Sequence, residues 1–253
     1  MGLLDHKAAV ITGANSGIGL ATAQRFLVEG AERVFITGRR QSQLDDAAKQ
    51  LGPRATAVTG DVGSPEDLDR LYAMVAATGK GLDIVMANAG STRVARLGEI
   101  TDDDLDALLT TNVKGVVYTV QKALPLLNDG ASIILTGSTT ADRGRAGPPL
   151  YAATKAAVRS LARAWANELA DRNIRVNVIV AGSTATPGSD ALAAQTDPEA
   201  SIDEFRAGRV ATIPLGRFAD PIEIANAAVF LASDLSSFTT GSTVTADGGF
   251  NQV

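Results

Sequence analysis

The stretch Thr12-Gly13-Ala14-Asn15-Ser16-Gly17-Ile18-Gly19 joins an aliphatic run at residues 8–12 to an apolar-periodic segment at 20–29. The run predicts a strand buried on both faces, and the periodic segment predicts a helix. Its three glycines let the turn tighten, let backbone N–H groups approach a diphosphate, and let the helix pack closely on the sheet. A turn that is merely tight would also explain them. Its place after the first strand, at a helix N-terminus, favours phosphate binding.

Similar strand and helix patterns alternate along most of the 253 residues. Continuous aliphatic runs predict strands at 8–12, 33–37, 55–59, 82–87, 132–136 and 174–179. Repeated strand–helix units imply right-handed crossovers, and therefore a doubly wound parallel sheet with helices on both faces. Because no linker or repeat interrupts the pattern, we expect one α/β domain spanning residues 1–253.

Three segments between the strands carry further signals. Ser64-Pro65-Glu66-Asp67 and Thr101-Asp102-Asp103-Asp104 are helix starts, and the second predicts a long helix ending near Asn128-Asp129-Gly130. Residues 187–208 are rich in Ala, Ser, Asp and Pro. This segment is either a surface excursion or a lid over a substrate pocket, and its position relative to the motifs below favours the lid.

Composition excludes several classes of function. The chain has 23 Lys and Arg against 28 Asp and Glu, and this mildly acidic balance argues against a nucleic-acid or anionic-membrane partner. It has no cysteine, so thiolate catalysis is excluded, and no metal site is expected. The single histidine, His6, predicts a solvated residue rather than a triad member. No secretion signal or membrane-spanning run is evident, so we expect a cytoplasmic protein.

The second strand is followed by Gly38-Arg39-Arg40. In dinucleotide-binding folds an acidic residue at this point holds the adenosine ribose hydroxyls, and Gly38 stands there instead. A carboxylate would repel a 2′-phosphate, whereas arginine can bind it through two hydrogen bonds. The segment therefore favours NADP over NAD, although Arg39 and Arg40 could also be solvated loop charges.

Tyr151 and Lys155 are four residues apart in a helical segment, so their side chains share one face. Tyrosine titrates near 10, and a neighbouring ammonium together with oxidised nicotinamide should lower its pKa. Ser138, at the end of the fifth strand, can donate to a substrate oxygen, and Asn112 can anchor a water beside Lys155. In isolation Tyr-x-x-x-Lys is a common surface pair, but together with the phosphate turn these residues favour a catalytic site.

The set formed by the turn at residues 12–19, Asn88-Ala89-Gly90, Asn112, Ser138, Tyr151 with Lys155, and Asp247-Gly248-Gly249 resembles the short-chain dehydrogenases/reductases. The resemblance runs in register over essentially the whole chain. It implies a seven-stranded Rossmann-like domain in which Tyr151 is the general acid/base, Lys155 lowers its pKa and holds the nicotinamide ribose, and Ser138 orients the carbonyl. Asn112 would complete a proton relay.

The resemblance also implies cofactor contacts. Asp61 and Val62 would flank the adenine, Asn88, Ala89 and Gly90 would line the cofactor, and Ser183, Thr184 and Thr186 would contact the nicotinamide end. Two positions depart from the family. Ala87 replaces an asparagine, and Ala181-Gly182 stands where Pro-Gly is usual. Without the fixed φ of proline this loop could be looser, which puts the contacts of 183–186 in doubt.

A narrower resemblance is to bacterial NADP-dependent secondary-alcohol dehydrogenases, and it implies a small hydrophobic ketone or secondary alcohol as substrate. Leu192, Ile202 and Phe205 would suit an apolar ligand or pack the lid. The alternatives are a β-ketoacyl carrier-protein reductase, which typically presents basic residues where this chain has Asn128-Asp129, a sugar or steroid dehydrogenase, and a non-enzymatic NADP-binding sensor or scaffold. Relatives are usually homotetramers assembled through the helices carrying Asn112 and Tyr151 and the C-terminal strand.

Overall fold

The computed structural model describes residues 2–143, 148–197 and 199–253. The strands are β1 (Ala8–Thr12), β2 (Arg33–Gly38), β3 (Ala55–Thr59), β4 (Leu82–Ala87), β5 (Leu127–Ser138), β6 (Arg175–Ala181) and β7 (Thr243–Ala246). The helices are α1 (Gly17–Val28), α2 (Gln41–Leu51), α3 (Pro65–Ala76), α4 (Asp102–Leu109), α5 (Gly115–Ala123), α6 (Pro149–Glu168), α7 (Pro187–Thr196), α8 (Ile202–Val210) and α9 (Pro221–Ala232).

The seven strands form one parallel sheet in the order β3-β2-β1-β4-β5-β6-β7. This confirms the Rossmann-like prediction, and β7 is the strand that only the resemblance implied. The aliphatic runs are continuous because both sheet faces are covered. One apolar cluster packs the sheet against α3, α5 and α6, and the other packs it against α1, α2 and α9. The order of strands reverses between β1 and β4, where open α/β sheets bind ligands.

The predicted long helix from residue 102 to residues 128–130 is wrong. Helix α5 ends at Ala123, and β5 begins at Leu127. Pro125 explains the break, since it has no N–H to continue the helical hydrogen bonds. Leu82 pairs with Leu127 and Ile84 with Ser132, so Asn128-Asp129-Gly130 forms a bulge inside the strand. These three residues do interrupt the regular backbone, but the interruption lies inside β5 and does not mark the end of a helix.

Helices α4 and α5 are joined by a π-helical turn over Thr110–Lys114 rather than by a continuous α-helix. Such wide turns inside helices are frequent at functional sites. Asn112 lies at the centre of this turn and is fully buried. The turn therefore sets where the Asn112 side chain points.

The excursion at residues 187–208 contains secondary structure that the composition did not indicate. Pro187 begins α7, where the Thr186 hydroxyl accepts a hydrogen bond from the Ser189 N–H. Ser201 and Glu204 form a capping box that begins α8. The two helices pack against each other beside the carboxyl ends of the strands. Within the described ranges, none of the helices combines the length and apolarity that a bilayer span needs.

A pair of substitutions in α1 tests the packing of the helix that follows the phosphate turn. Phe26 is fully buried in the cluster shared by α1 and α9, whereas Val28 is 71% exposed. We expect Phe26→Ala to lower the free energy of unfolding by about 3–5 kcal/mol, because it leaves a cavity in a close-packed core. Val28→Ala, the control on the same helix, should change it by less than about 0.5 kcal/mol. Urea unfolding measures both, and equal effects would contradict the packing described here.

Candidate active site

Two adjoining cavities open at the carboxyl ends of the central strands. They measure about 300 Å³ and about 290 Å³, and both are lined by Ser16, Asn88, Gly90, Pro187 and Gly188. Together they form one trough that runs from the end of β2, past the turn after β1, to the start of α6. The trough crosses the sheet where the strand order reverses, so the fold itself positions it.

The glycines of the turn have two separate uses. Gly13 and Gly17 have φ values of 65° and 56°, which glycine adopts without strain. A Cβ on Gly19 would lie 2.5 Å from the Gly13 carbonyl oxygen and 2.6 Å from the Asn88 Nδ2 atom. Gly19 lies outside the lining of both cavities, so it serves the packing of α1. Gly13, Asn15, Ser16, Gly17 and Ile18 all line the trough.

A hydrogen-bonded network holds this turn against the neighbouring strand ends. The Thr12 hydroxyl accepts from the N–H groups of Asn88 and Ala89, each at 3.0 Å. The Asn88 side-chain amide donates to the carbonyls of Thr12 and Gly13 at 2.9 and 3.2 Å. The Thr136 hydroxyl donates to Asn88 Oδ1 at 3.3 Å. Thr12, Asn88 and Thr136 thereby tie the ends of β1, β4 and β5 together.

The end of β2 provides a cationic end to the trough. Gly38, Arg39, Arg40, Asp61 and Val62 line the second cavity together, as the sequence predicts for an adenosine site. A Cβ on Gly38 would lie 2.7 Å from Asn15 Oδ1, so a larger residue would displace the Asn15 side chain. Arg39 Nη1 lies 3.7 Å from Asp61 Oδ2, with the two side chains 68% and 41% exposed. An exposed pair at this separation contributes little, so Arg39 can turn towards an anion.

At the other end, Tyr151 and Lys155 share one face of α6, as their spacing predicts. Lys155 is only 3% exposed, and its Nζ donates to the Thr136 carbonyl oxygen at 2.7 Å. The same Nζ lies 5.7 Å from the centre of the Tyr151 ring. Burial lowers the pKa of Lys155 to about 8, so the side chain is still mostly an ammonium at pH 7.

The pKa of the Tyr151 phenol differs from the sequence-based expectation. Burial raises it above its usual value of 10, while hydrogen bonds with Ser138 and Thr92 act in the opposite direction. Removal from water disfavours the phenolate, and this effect exceeds the help from the two hydroxyls. Ser138 also accepts hydrogen bonds from the N–H and the hydroxyl of Thr140, at 3.3 and 3.0 Å. The protein alone therefore keeps this phenol protonated.

Asn112 uses its buried side chain to hold neighbouring segments. Its Oδ1 accepts from the Ser91 N–H at 2.8 Å, and its Nδ2 donates to the Ser91 carbonyl at 2.9 Å and to the Thr154 hydroxyl at 3.1 Å. It lies outside the lining of both cavities. The side chain thus fixes the loop after β4 against α6, one residue before Lys155.

The segment after β6 closes the other side of the trough. Ser183, Thr184 and Thr186 all line the first cavity, and the Thr186 hydroxyl is engaged in capping α7. Leu192 and Phe205 line it too, whereas Ile202 is 44% exposed and lies outside the lining. Neither alternative given for Ile202, contact with an apolar ligand or packing of the lid, fits this exposed side chain. It stands on the outer face of α8.

Several lining residues were not identified from the sequence: Thr92, Thr139, Arg209 and Phe218. Thr92 lies two residues after the Asn88-Ala89-Gly90 motif, and this closeness could have identified it as a lining residue. Arg209 and Phe218 reach the site only because α8 folds back over the trough. Their positions depend on tertiary packing rather than on spacing. Across the described ranges, no cluster of three His, Cys, Asp or Glu side chains is placed to hold a metal.

Known proteins resemble this chain over nearly its whole length. A family model described as enoyl-(acyl carrier protein) reductase matches residues 13–251. "Oxidoreductase asL5" of Sarocladium schorii is 48% identical, covering 99% of this chain and 98% of that protein. The 3-oxoacyl-[acyl-carrier-protein] reductase FabG of Thermotoga maritima is 37% identical, covering 97% and 98%.

A solved structure extends the likeness to the fold. The short-chain dehydrogenase/reductase from Brucella melitensis, titled a glucose/ribitol dehydrogenase, superposes with a TM-score of 0.92 at 31% identity. The match covers 100% of this chain and 99% of that one. Agreement in both sequence and architecture shows that this chain belongs to the short-chain dehydrogenase/reductase family of oxidoreductases.

Proposed function

We propose that this protein is an NADP(H)-dependent oxidoreductase that interconverts ketones and secondary alcohols. The observation that carries the proposal is the trough itself. An arginine pair stands at one end and Tyr151 with the buried Lys155 at the other, with a glycine turn between them. An elongated molecule with an anionic adenosine end and a reactive opposite end matches that order of groups.

The chain's residues fit such a dinucleotide in their chemistry. Turn N–H groups and the N-terminus of α1 would hold the diphosphate, and Arg39 and Arg40 would hold the 2′-phosphate. Asp61 and Val62 would flank the adenine. Gly90 leaves room beside Lys155, since a Cβ there would lie 3.5 Å from Nζ and would narrow the ribose site. Asn88, Ala89, Ser183, Thr184 and Thr186 complete the lining.

When bound, NADPH supplies the hydride for the carbonyl carbon. Tyr151 donates the phenol proton to the carbonyl oxygen, and the raised pKa of the phenol keeps that proton in place at neutral pH. Ser138, already hydrogen-bonded to Tyr151, orients the same oxygen. In the oxidation direction Tyr151 accepts the proton, and the Lys155 ammonium favours the phenolate. Asn112 keeps α6 and the loop after β4 in register, which supports a proton path beside Lys155.

The remaining parts of the proposal concern substrate and assembly. The apolar side chains Leu192, Phe205 and Phe218 support a substrate with an apolar body, and residues 187–208 would act as its lid. An apolar groove of about 180 Å³ between α4 and α6 supports assembly into a homotetramer through these helices. We place the protein in the cytoplasm, consistent with its lack of cysteine.

Reduction of a 3-oxoacyl carrier-protein thioester is a second candidate, and the likeness to the Thermotoga maritima enzyme favours it. Such reductases typically present basic residues where this chain has Asn128-Asp129. Here Arg172 Nε lies 2.9 Å from Asp129 Oδ1, so the negative charge of Asp129 is paired with an arginine. Acetoacetyl thioesters assayed beside simple ketones separate the two candidates. Turnover of the thioester alone would favour carrier-protein reduction.

Tyr151→Phe tests the assigned proton donor. We expect the variant to bind NADPH with unchanged affinity, because only the hydroxyl is lost, and to lose at least about 100-fold in ketone reduction. NADPH fluorescence titration and NADPH oxidation with a ketone panel measure the two properties. Turnover close to that of the unaltered protein would remove Tyr151 from the mechanism. Cofactor binding without turnover by the unaltered protein would instead indicate a sensor.

The pKa of Tyr151 gives a separate test. Burial raises this pKa, so the phenol of the cofactor-free protein should stay protonated at pH 10, where an exposed tyrosine is half ionised. Added NADP⁺ should bring its ionisation to lower pH, since a nearby positive charge favours the phenolate. Difference absorbance of the protein minus Tyr151→Phe follows this one phenol. Ionisation well below pH 10 without cofactor would contradict the dominance of burial.

Arg39→Ala tests the choice of cofactor. We expect the variant to raise the KM for NADPH about 10-fold or more and to leave the KM for NADH nearly unchanged, because only NADPH offers a 2′-phosphate. Arg163→Ala, at an exposed position on α6, controls for the loss of a positive charge. An equal change for both cofactors would show that Arg39 does not bind the 2′-phosphate.

A further inference from the structure

Helix α8 turns a mixed face towards the first cavity. Phe205, Arg206 and Arg209 are half-buried, whereas Ala207 and Gly208 are exposed on the opposite side. Phe205 and Arg209 line the cavity, and the Arg209 guanidinium carbon lies 5.2 Å from the centre of the Phe205 ring. The ring thus packs beside the guanidinium group at the cavity wall and limits where it can lie.

The two arginines of this face have different surroundings. Arg206 Nη2 lies 2.7 Å from Asp190 Oδ1, and this ion pair joins α8 to α7. The Arg206 guanidinium also lies 5.9 Å from the Phe218 ring centre. Arg206 therefore has a structural role in the packing of the two helices. Arg209, one turn further along, lines the first cavity.

The first cavity is electropositive. Of the described residues that line it, two carry a charged side chain, Lys155 and Arg209, and both are cations. Lys155 stands at the reacting end, where its ammonium donates to the Thr136 carbonyl. Arg209 comes from α8. An anion bound in this cavity would be attracted by both charges.

Apolar side chains also line this cavity. Leu192, Phe205 and Phe218 contribute apolar surface to the cavity that Tyr151 and Arg209 also line. The cavity measures about 300 Å³. It therefore combines a proton donor, apolar side chains and a guanidinium group in one space.

We propose that Arg209 binds a carboxylate on the substrate, so that the natural substrate is a keto acid and the product the corresponding hydroxy acid. This inference rests on the proposed ketone reduction by Tyr151. The guanidinium donates two parallel hydrogen bonds to the carboxylate and thereby fixes which end of the molecule faces Tyr151. Hydride and proton add across the carbonyl, and the carboxylate leaves the reaction unchanged.

The test compares charged and neutral forms of the same ketones. Keto carboxylates that differ in chain length by one methylene are each assayed beside their methyl esters, with NADPH saturating. We expect one chain length to be preferred, with a kcat/KM about 10- to 100-fold above that of its ester, because a charge-assisted pair is lost in the ester. Equal values for acid and ester at every length would overturn the proposal.

Variants at position 209 assign the effect to this side chain. Arg209→Met keeps the length of the side chain without its charge, and should remove the preference for the acid, so that the kcat/KM values of acid and ester become equal. Arg209→Lys should restore part of the preference, since it keeps the charge but loses the planar fork. Arg163→Met, at an exposed arginine on α6, should retain the full preference.

The NADPH dissociation constant separates a substrate role from a cofactor role. It should be the same in Arg209→Met and the unaltered protein. Weaker NADPH binding with equal losses for acid and ester would assign Arg209 to the cofactor and overturn the proposal. If neutral ketones react and no acid is preferred, this inference alone fails. If no ketone of either kind reacts, the proposed function fails with it.

Discussion

The hydroxyl of Thr12 is the point on which the site's geometry depends. It accepts two backbone hydrogen bonds from the loop after β4, and Asn88 returns two from its side chain to the turn after β1. The Thr136 hydroxyl extends the network to β5, and the Thr136 carbonyl receives the Lys155 ammonium. One set of hydrogen bonds therefore connects the phosphate turn to the tyrosine–lysine pair. Partly buried networks of this kind specify one arrangement of the groups they join.

Burial shifts the pKa of both Tyr151 and Lys155. The same removal from water lowers the pKa of Lys155 to about 8 and raises the pKa of Tyr151. Both shifts favour the neutral side chain. The protein alone thus keeps the phenol protonated, and a further positive charge nearby would favour release of the proton.

The sequence predicted those features that depend on local spacing. The turn at residues 12–19 lies within one strand–turn–helix unit, and Tyr151 and Lys155 lie about one helix turn apart. Their geometry therefore follows from their spacing in the sequence. Asn112 was put forward as a water anchor beside Lys155, but its bonds to Ser91 and Thr154 span 21 and 42 residues, and no pattern of spacing reveals them. Pro125 lies at the end of α5, whereas the prediction placed the helix end near Asn128-Asp129-Gly130. Helices α7 and α8 lack a strong apolar period, so the position of Arg209 at the cavity became visible only in three dimensions.

A crystal structure of the complex with NADP⁺ and a keto acid or its hydroxy acid tests the central claim most directly. The account predicts the Tyr151 hydroxyl at about 2.6–3.2 Å from the substrate oxygen, with the nicotinamide ring on the same side of the trough. It also predicts Arg39 at the 2′-phosphate end. A nicotinamide ring that lies away from Tyr151, or a substrate oxygen held by other groups, would contradict it.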